Sequence, residues 1–93
     1  MRSDVAARFL VLTYRDSKLG AIGCILFSDG DGWRVVEGTE AMVGSPKYDA
    51  IQARFASTLG NVPKIAVAHL EVGHNDIGDG ERLWHLATEG DAR

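Results

Sequence analysis

The chain has 93 residues, 45% of them hydrophobic and 25% charged, a composition that indicates one small folded domain (residues 1–93) and shows no sign of disorder. Its formal net charge of −3 gives no support to nucleic-acid binding, so we expect no nucleic-acid partner. No stretch approaches the ~18 apolar residues that a membrane span needs, and we expect a cytoplasmic protein without membrane contact.

Cys24 is the only cysteine, which excludes an intramolecular disulfide bond and a zinc site built from several thiolates. It lies in the apolar run GAIGCILF, where a free cysteine behaves as a small hydrophobic residue. We therefore expect no catalytic thiol here.

The first half of the chain predicts three strands. VAARFLVLTY (5–14) and AIGCILF (21–27) are apolar at both parities, which indicates burial on both faces. SDGDG (28–32) predicts a turn that leads to a third strand, WRVVE (33–37). GTEAMVG (38–44) is a connector with weak strand character.

A helix is predicted over residues 46–59. Ser45 is a favourable N-cap, and Pro46 occupies the first helical position, where its missing N–H costs nothing. Gly60 then ends the helix as a C′ residue. The apolar stripe of this helix consists of Tyr48, Ile51, Phe55 and Leu59.

The remaining residues predict two further strands, KIAVAHLEV (64–72) and RLWHLA (82–87), joined by the loop GHNDIGDGE (73–81). Residues 88–93 read as a frayed polar tail. The predicted order is βββαββ, an α+β domain with a largely antiparallel five-stranded sheet and one helix on one face.

One helix covers only one face of such a sheet, whereas the first two strands are apolar on both. The uncovered face would be an apolar interaction surface. We therefore predict a small non-enzymatic interaction or regulatory module without a cofactor, working as a homodimer or by binding a partner protein. The candidate interface residues are Phe9, Val11, Ile22, Ile25, Phe27 and Trp33.

The stretch HLEVGHND carries the alternative hypothesis. His69 and Glu71 share one face of a strand, and Gly73 frees the next residues to turn back. With His74 and Asp76, they could bind one divalent metal ion in a small metal-dependent enzyme or ligand-binding protein. His85 could join them if the last two strands pair. The other interpretation of this stretch is a strand that simply ends.

The segment YRDSKLGAIGCILF resembles the first hairpin of ribonuclease-H-like folds. The resemblance implies that Asp16, at the end of its strand, holds magnesium. Asp49 is the only acidic residue of the predicted helix, and Asp16 beside Ser17 and Lys18 also suits a plain turn. The loops SDGDG and DIGDGE lack the ligand spacing of calcium loops and are interpreted as hairpin turns.

Overall fold

The structure, a computed structural model, describes residues 7–89 and has an α+β fold. Its five strands are β1 (Arg8–Asp16), β2 (Gly20–Ser28), β3 (Trp33–Val35), β4 (Ala41–Met42) and β5 (Val67–Val72). Its two helices are α1 (Pro46–Leu59) and α2 (Gly80–Glu89), and short 3₁₀ turns span Lys64–Ala66 and His74–Asp76. The predicted class and the mostly antiparallel five-stranded sheet are confirmed.

The strand order in the sheet is β3-β2-β1-β5, and β4 also pairs with β2. All pairs are antiparallel except β1 with β5, which is parallel. A parallel pair needs a long crossover connection, and here β2, β3, β4 and α1 all lie between the two strands. The sheet therefore places the carboxyl ends of β1 and β5 side by side.

The start of α1 follows the predicted capping chemistry. The Ser45 hydroxyl accepts a hydrogen bond from the Tyr48 backbone N–H at 3.1 Å, and Pro46 is the first helical residue. The helix ends at Leu59 as predicted. Gly60 follows it as the C-cap residue in the right-handed region (φ −61°), one position earlier than the predicted C′.

The fifth predicted strand is wrong, because residues 82–87 belong to α2. Asp79 precedes the helix, and its backbone carbonyl accepts the N–H of Leu83 at 3.0 Å. Leu83, Trp84 and Ala87 then form a buried helical stripe. The predicted tail also needs correction, since residues 88 and 89 complete α2; residues 90–93 lie outside the described part of the chain.

The main core lies between α2 and one face of the sheet. Cys24 is 1% exposed and packs there as a small hydrophobic residue, and burial raises the pKa of its thiol to about 11. Besides Cys24, this core includes Leu10, Leu12, Tyr14, Ile22, Leu26, Leu83 and Trp84.

The other face of the sheet carries α1 and is less completely covered. Phe55 meets Phe9 edge-on, with ring centroids 6.2 Å apart, and Tyr48 lies directly over Gly23. None of the α1 residues is fully buried. Because each face carries a helix, the predicted single-helix sheet with one bare face is wrong.

Several strand boundaries also differ from the sequence prediction. β3 ends at Val35 rather than at Glu37, and the predicted connector 38–44 contains β4. The first strand begins at Arg8, and the predicted residues 5 and 6 lie outside the described range. The segment 64–66 is a 3₁₀ turn, so β5 is shorter than predicted. Neither helix within residues 7–89 is long and apolar enough to cross a bilayer.

Candidate functional site

Strand β5 forms one edge of the sheet. It pairs with β1 in unbroken register from Phe9↔Val67 to Tyr14↔Val72, and no second strand borders it within residues 7–89. The strand contains no proline and no bulge, the features that commonly block edge strands. Its outer backbone groups therefore form a template for pairing with another strand.

The side chains of β5 differ between its two faces. His69 and Glu71 are exposed on the α1 face, where they lie beside Val11 and Thr13 of β1. Leu70 and Val72 are half-buried on the α2 face and pack against the core. The edge thus presents polar groups on one face and apolar groups on the other.

Clefts flank this edge strand on both faces. One of about 300 Å³ lies on the α1 side and includes Gln52 and His69. Another of about 330 Å³ separates the start of the strand from the end of α2, where Ile65 is 84% exposed. A third, of about 450 Å³, lies at the carboxyl ends of β1 and β5 and includes Leu70 and Leu86. The helices leave space along β5.

The second half of the HLEVGHND stretch turns away from the strand, as the sequence predicted. Gly73 precedes the 3₁₀ turn, and the His74 ring lies against the Tyr14 ring with centroids 5.5 Å apart. Asp76 accepts a hydrogen bond from Arg82 at 2.6 Å, and Arg82 also donates to Asp79 at 3.0 Å. The hydrogen bond to Asp79 is the main cause that raises the pKa of Arg82.

The predicted metal ligands therefore occupy two places, with His69 and Glu71 on the strand and His74 and Asp76 in the following turn. Within residues 7–89, no three histidine, cysteine, aspartate or glutamate side chains form a group that could hold a metal ion. His85 lies on α2, where it contacts Glu81 and Glu89, rather than on a strand beside β5. The metal site remains a prediction from the sequence.

The six predicted interface residues divide between the two faces of the sheet. Ile22 and Trp33 belong to the α2 face, where Ile22 is 5% exposed and the Trp33 ring lies 5.7 Å from that of Trp84. The remaining four lie beneath or beside α1: Phe9, Val11, Ile25 and Phe27. They do not form one continuous bare face.

Asp16 serves the turn between β1 and β2. Its carboxylate accepts the backbone N–H groups of Lys18 (2.8 Å) and Leu19 (2.9 Å), and these hydrogen bonds lower the pKa of Asp16. The loop SDGDG is a hairpin turn as predicted. The segment DIGDGE instead leads into α2, so its interpretation as a hairpin turn is wrong.

One prominent cluster has no local signal in the sequence. The Arg8 guanidinium lies 4.9 Å from the Trp33 ring and 5.4 Å from the Trp84 ring, and it donates to both oxygens of Glu81 at 3.2 Å. The hydrogen bonds from Arg8 and then Trp33 lower the pKa of Glu81. The contacts of this cluster link the start of β1 to the start of α2.

A second polar contact, partly buried, lies near the carboxyl end of β1. The Tyr14 hydroxyl donates to Glu40 at 3.2 Å, and the Tyr14 side chain is 7% exposed. Burial, followed by the negative charge of Glu40, raises the pKa of Tyr14 to about 12. A phenol held in its neutral form in this way acts as a hydrogen-bond donor within the fold.

Comparison of the chain with protein-family models, with curated proteins and with solved structures finds no match.

Proposed function

We propose that this protein is a small non-enzymatic interaction module, acting as a homodimer or by binding a partner protein. The binding surface is the outer edge of β5. The observation that carries the proposal is the six-residue edge strand, which has neither proline nor bulge and has no neighbour beyond β1 among residues 7–89. Addition of a strand to an open sheet edge is a recurring mode of protein recognition.

This surface replaces the apolar sheet face that the sequence predicted. Both faces now carry a helix, whereas the β5 edge retains unpaired backbone groups and half-buried Leu70 and Val72. Strand addition satisfies those backbone groups and also covers the two apolar side chains.

The polar side chains near the edge support binding rather than catalysis. Arg82 is engaged by Asp76 and Asp79, and Tyr14 by Glu40. These groups hold the turn after β5 and the end of β1 in place. Their pairing supports a rigid platform for the edge strand.

The proposal is tested by light scattering coupled to size-exclusion chromatography, together with hydrogen exchange of the β5 amides. We expect a mass above the 10.0 kDa of one chain, with β5 amides that become more protected as concentration rises. The variant His69→Lys/Glu71→Lys should reduce both effects, because lysines on an edge strand oppose strand addition.

A matched control makes the same charge change away from β5, through Ser57→Lys/Glu37→Lys at two exposed positions. It should leave the mass and the exchange rates unchanged. A chain that is monomeric at every concentration, with β5 amides that exchange rapidly throughout, would contradict the homodimer. The partner-protein form is tested with a photo-crosslinking residue at position 71, and cross-links unaffected by lysine at position 69 would contradict it.

A further inference from the structure

We infer that the partner is a second copy of this chain, and that the two copies join by antiparallel pairing of β5 with β5 about a two-fold axis at Leu70. This inference rests on the proposed function and specifies its partner and register. A closed symmetric dimer uses the same surface on both subunits, so the edge must complement itself.

The sequence of β5 complements itself in this register. A two-fold axis perpendicular to the sheet brings together residues that point to the same face. With the axis at Leu70, the imidazole of His69 lies opposite the carboxylate of Glu71 in the second copy, and the symmetry repeats this pair. An imidazole N–H donates to a carboxylate whether the ring is neutral or protonated.

A shift of the axis by one residue, to His69, keeps each side chain on the same face of the sheet but loses this complementarity. An axis at His69 would place the two histidines opposite each other and Glu71 opposite the apolar Val67. Opposite-charge and hydrogen-bonding cross-strand pairs stabilise an antiparallel ladder, whereas unlike polar and apolar pairs do not. The hydrogen-bonding pairs of the strand therefore favour the axis at Leu70.

The apolar face of β5 fits the same register. Leu70 lies opposite Leu70 of the second copy, and Val72 lies opposite Ala68. Leu86 of α2 is 50% exposed and borders the same cleft as Leu70 and Val72. Dimer formation would reduce the water contact of this apolar group while the polar pairs form on the other face.

Charge exchange tests the polar pairs. The acidic variant His69→Glu places two like-charged pairs across the axis, and the basic variant His69→Lys/Glu71→Lys does the same with opposite sign. A mixture of the two creates two attractive pairs. We expect the heterodimer to form with a dissociation constant roughly thirtyfold lower than that of either homodimer. Native mass spectrometry of the mixture measures this ratio.

Disulfide trapping tests the register. Opposing residues in an antiparallel ladder have Cα atoms about 4.5–5.5 Å apart, within the range of a disulfide. Leu70→Cys should therefore yield a covalent dimer on mild oxidation. His69→Cys is the matched control, because its symmetry mate lies on the diagonal at about 7–8 Å, beyond a disulfide's reach. Cys24 stays in both variants, since it is 1% exposed.

The outcomes separate this inference from the proposed function. A dimer with protected β5 amides but no charge preference, or with cross-linking at position 69 rather than 70, would overturn the Leu70 axis and leave the proposed edge surface standing. A dimer whose β5 amides stay unprotected would overturn both. Trapping at position 70 together with preferential heterodimer formation supports both.

Discussion

Gly80→Ala tests the packing of α2 on β3, the part of the fold that the sequence did not predict. A Cβ atom at position 80 would overlap Trp33 Cγ and lie 2.7 Å from Trp33 Cδ1. Overpacking of this kind costs about 1–3 kcal/mol, while alanine regains up to about 1 kcal/mol of helix propensity over glycine. We expect a net loss of roughly 1–2 kcal/mol in the free energy of unfolding, or roughly 4–16 °C in Tm. Urea denaturation followed by far-UV circular dichroism measures the midpoint shift at constant m.

Gly78→Ala is the matched control. A Cβ atom at position 78 meets no atom within 4 Å. We expect this variant to be neutral or stabilised by about 0.4–1 kcal/mol, through the smaller conformational freedom of its unfolded chain. If the substitution at Gly80 were no more destabilising than the one at Gly78, the close packing of α2 against Trp33 would be refuted.

Three further predictions concern the polar contacts. Arg8→Met should lower the free energy of unfolding by about 1–2 kcal/mol, and Glu81→Gln should then have little additional effect; full additivity in a double-mutant cycle would contradict the cluster. Tyr14 binds its proton more tightly in the folded state, because its pKa is raised from 10.0 to about 12. Stability should therefore fall by up to roughly 3 kcal/mol between about pH 10 and pH 12, and Tyr14→Phe should reduce this slope; an unchanged slope would count against the assignment. Zinc should not raise Tm, since Asp76 is bound to Arg82; a rise that His74→Ala abolishes would instead support the metal hypothesis.

Local chemistry explains what could be predicted from the sequence. Ser45 and Pro46 together predict where α1 begins. The hairpin turn needs its glycines because Gly30 and Gly32 have positive φ angles, 108° and 104°. The doubly apolar β1 and β2 are indeed buried on both faces. These features are determined by residues close together in the sequence, so the sequence alone is enough to predict them.

The misassigned helix shows where a short pattern fails. The apolar residues Leu83, Trp84 and Ala87 fit a helix as one stripe, but six residues also permit an alternating strand. Asp79, with the acidic Glu81 in the first helical turn, was the available signal for a helix N-terminus. The parallel pairing of β1 with β5 had no such signal.

The geometry of the candidate site also depends on residues that are distant in the sequence. Gly73 correctly indicated where β5 ends, so the sequence separated His69 and Glu71 from His74 and Asp76. Whether the two halves converge depends on Arg82, which binds Asp76 from α2, where the sequence predicts a strand. The open edge of β5 depends on the helical state of residues 82–87, which leaves β5 with β1 as its one neighbouring strand among residues 7–89.

The contact between the Trp33 and Trp84 rings provides a fluorescence probe for the docking of α2 on β3. Both indoles, the only two in the chain, lie together where α2 meets β3. Intrinsic fluorescence therefore records one local event, the docking of α2, whereas far-UV circular dichroism averages over every element. Coincident transitions from the two probes would indicate that docking and folding form one cooperative step, and an earlier fluorescence transition would identify α2 as the first element to detach.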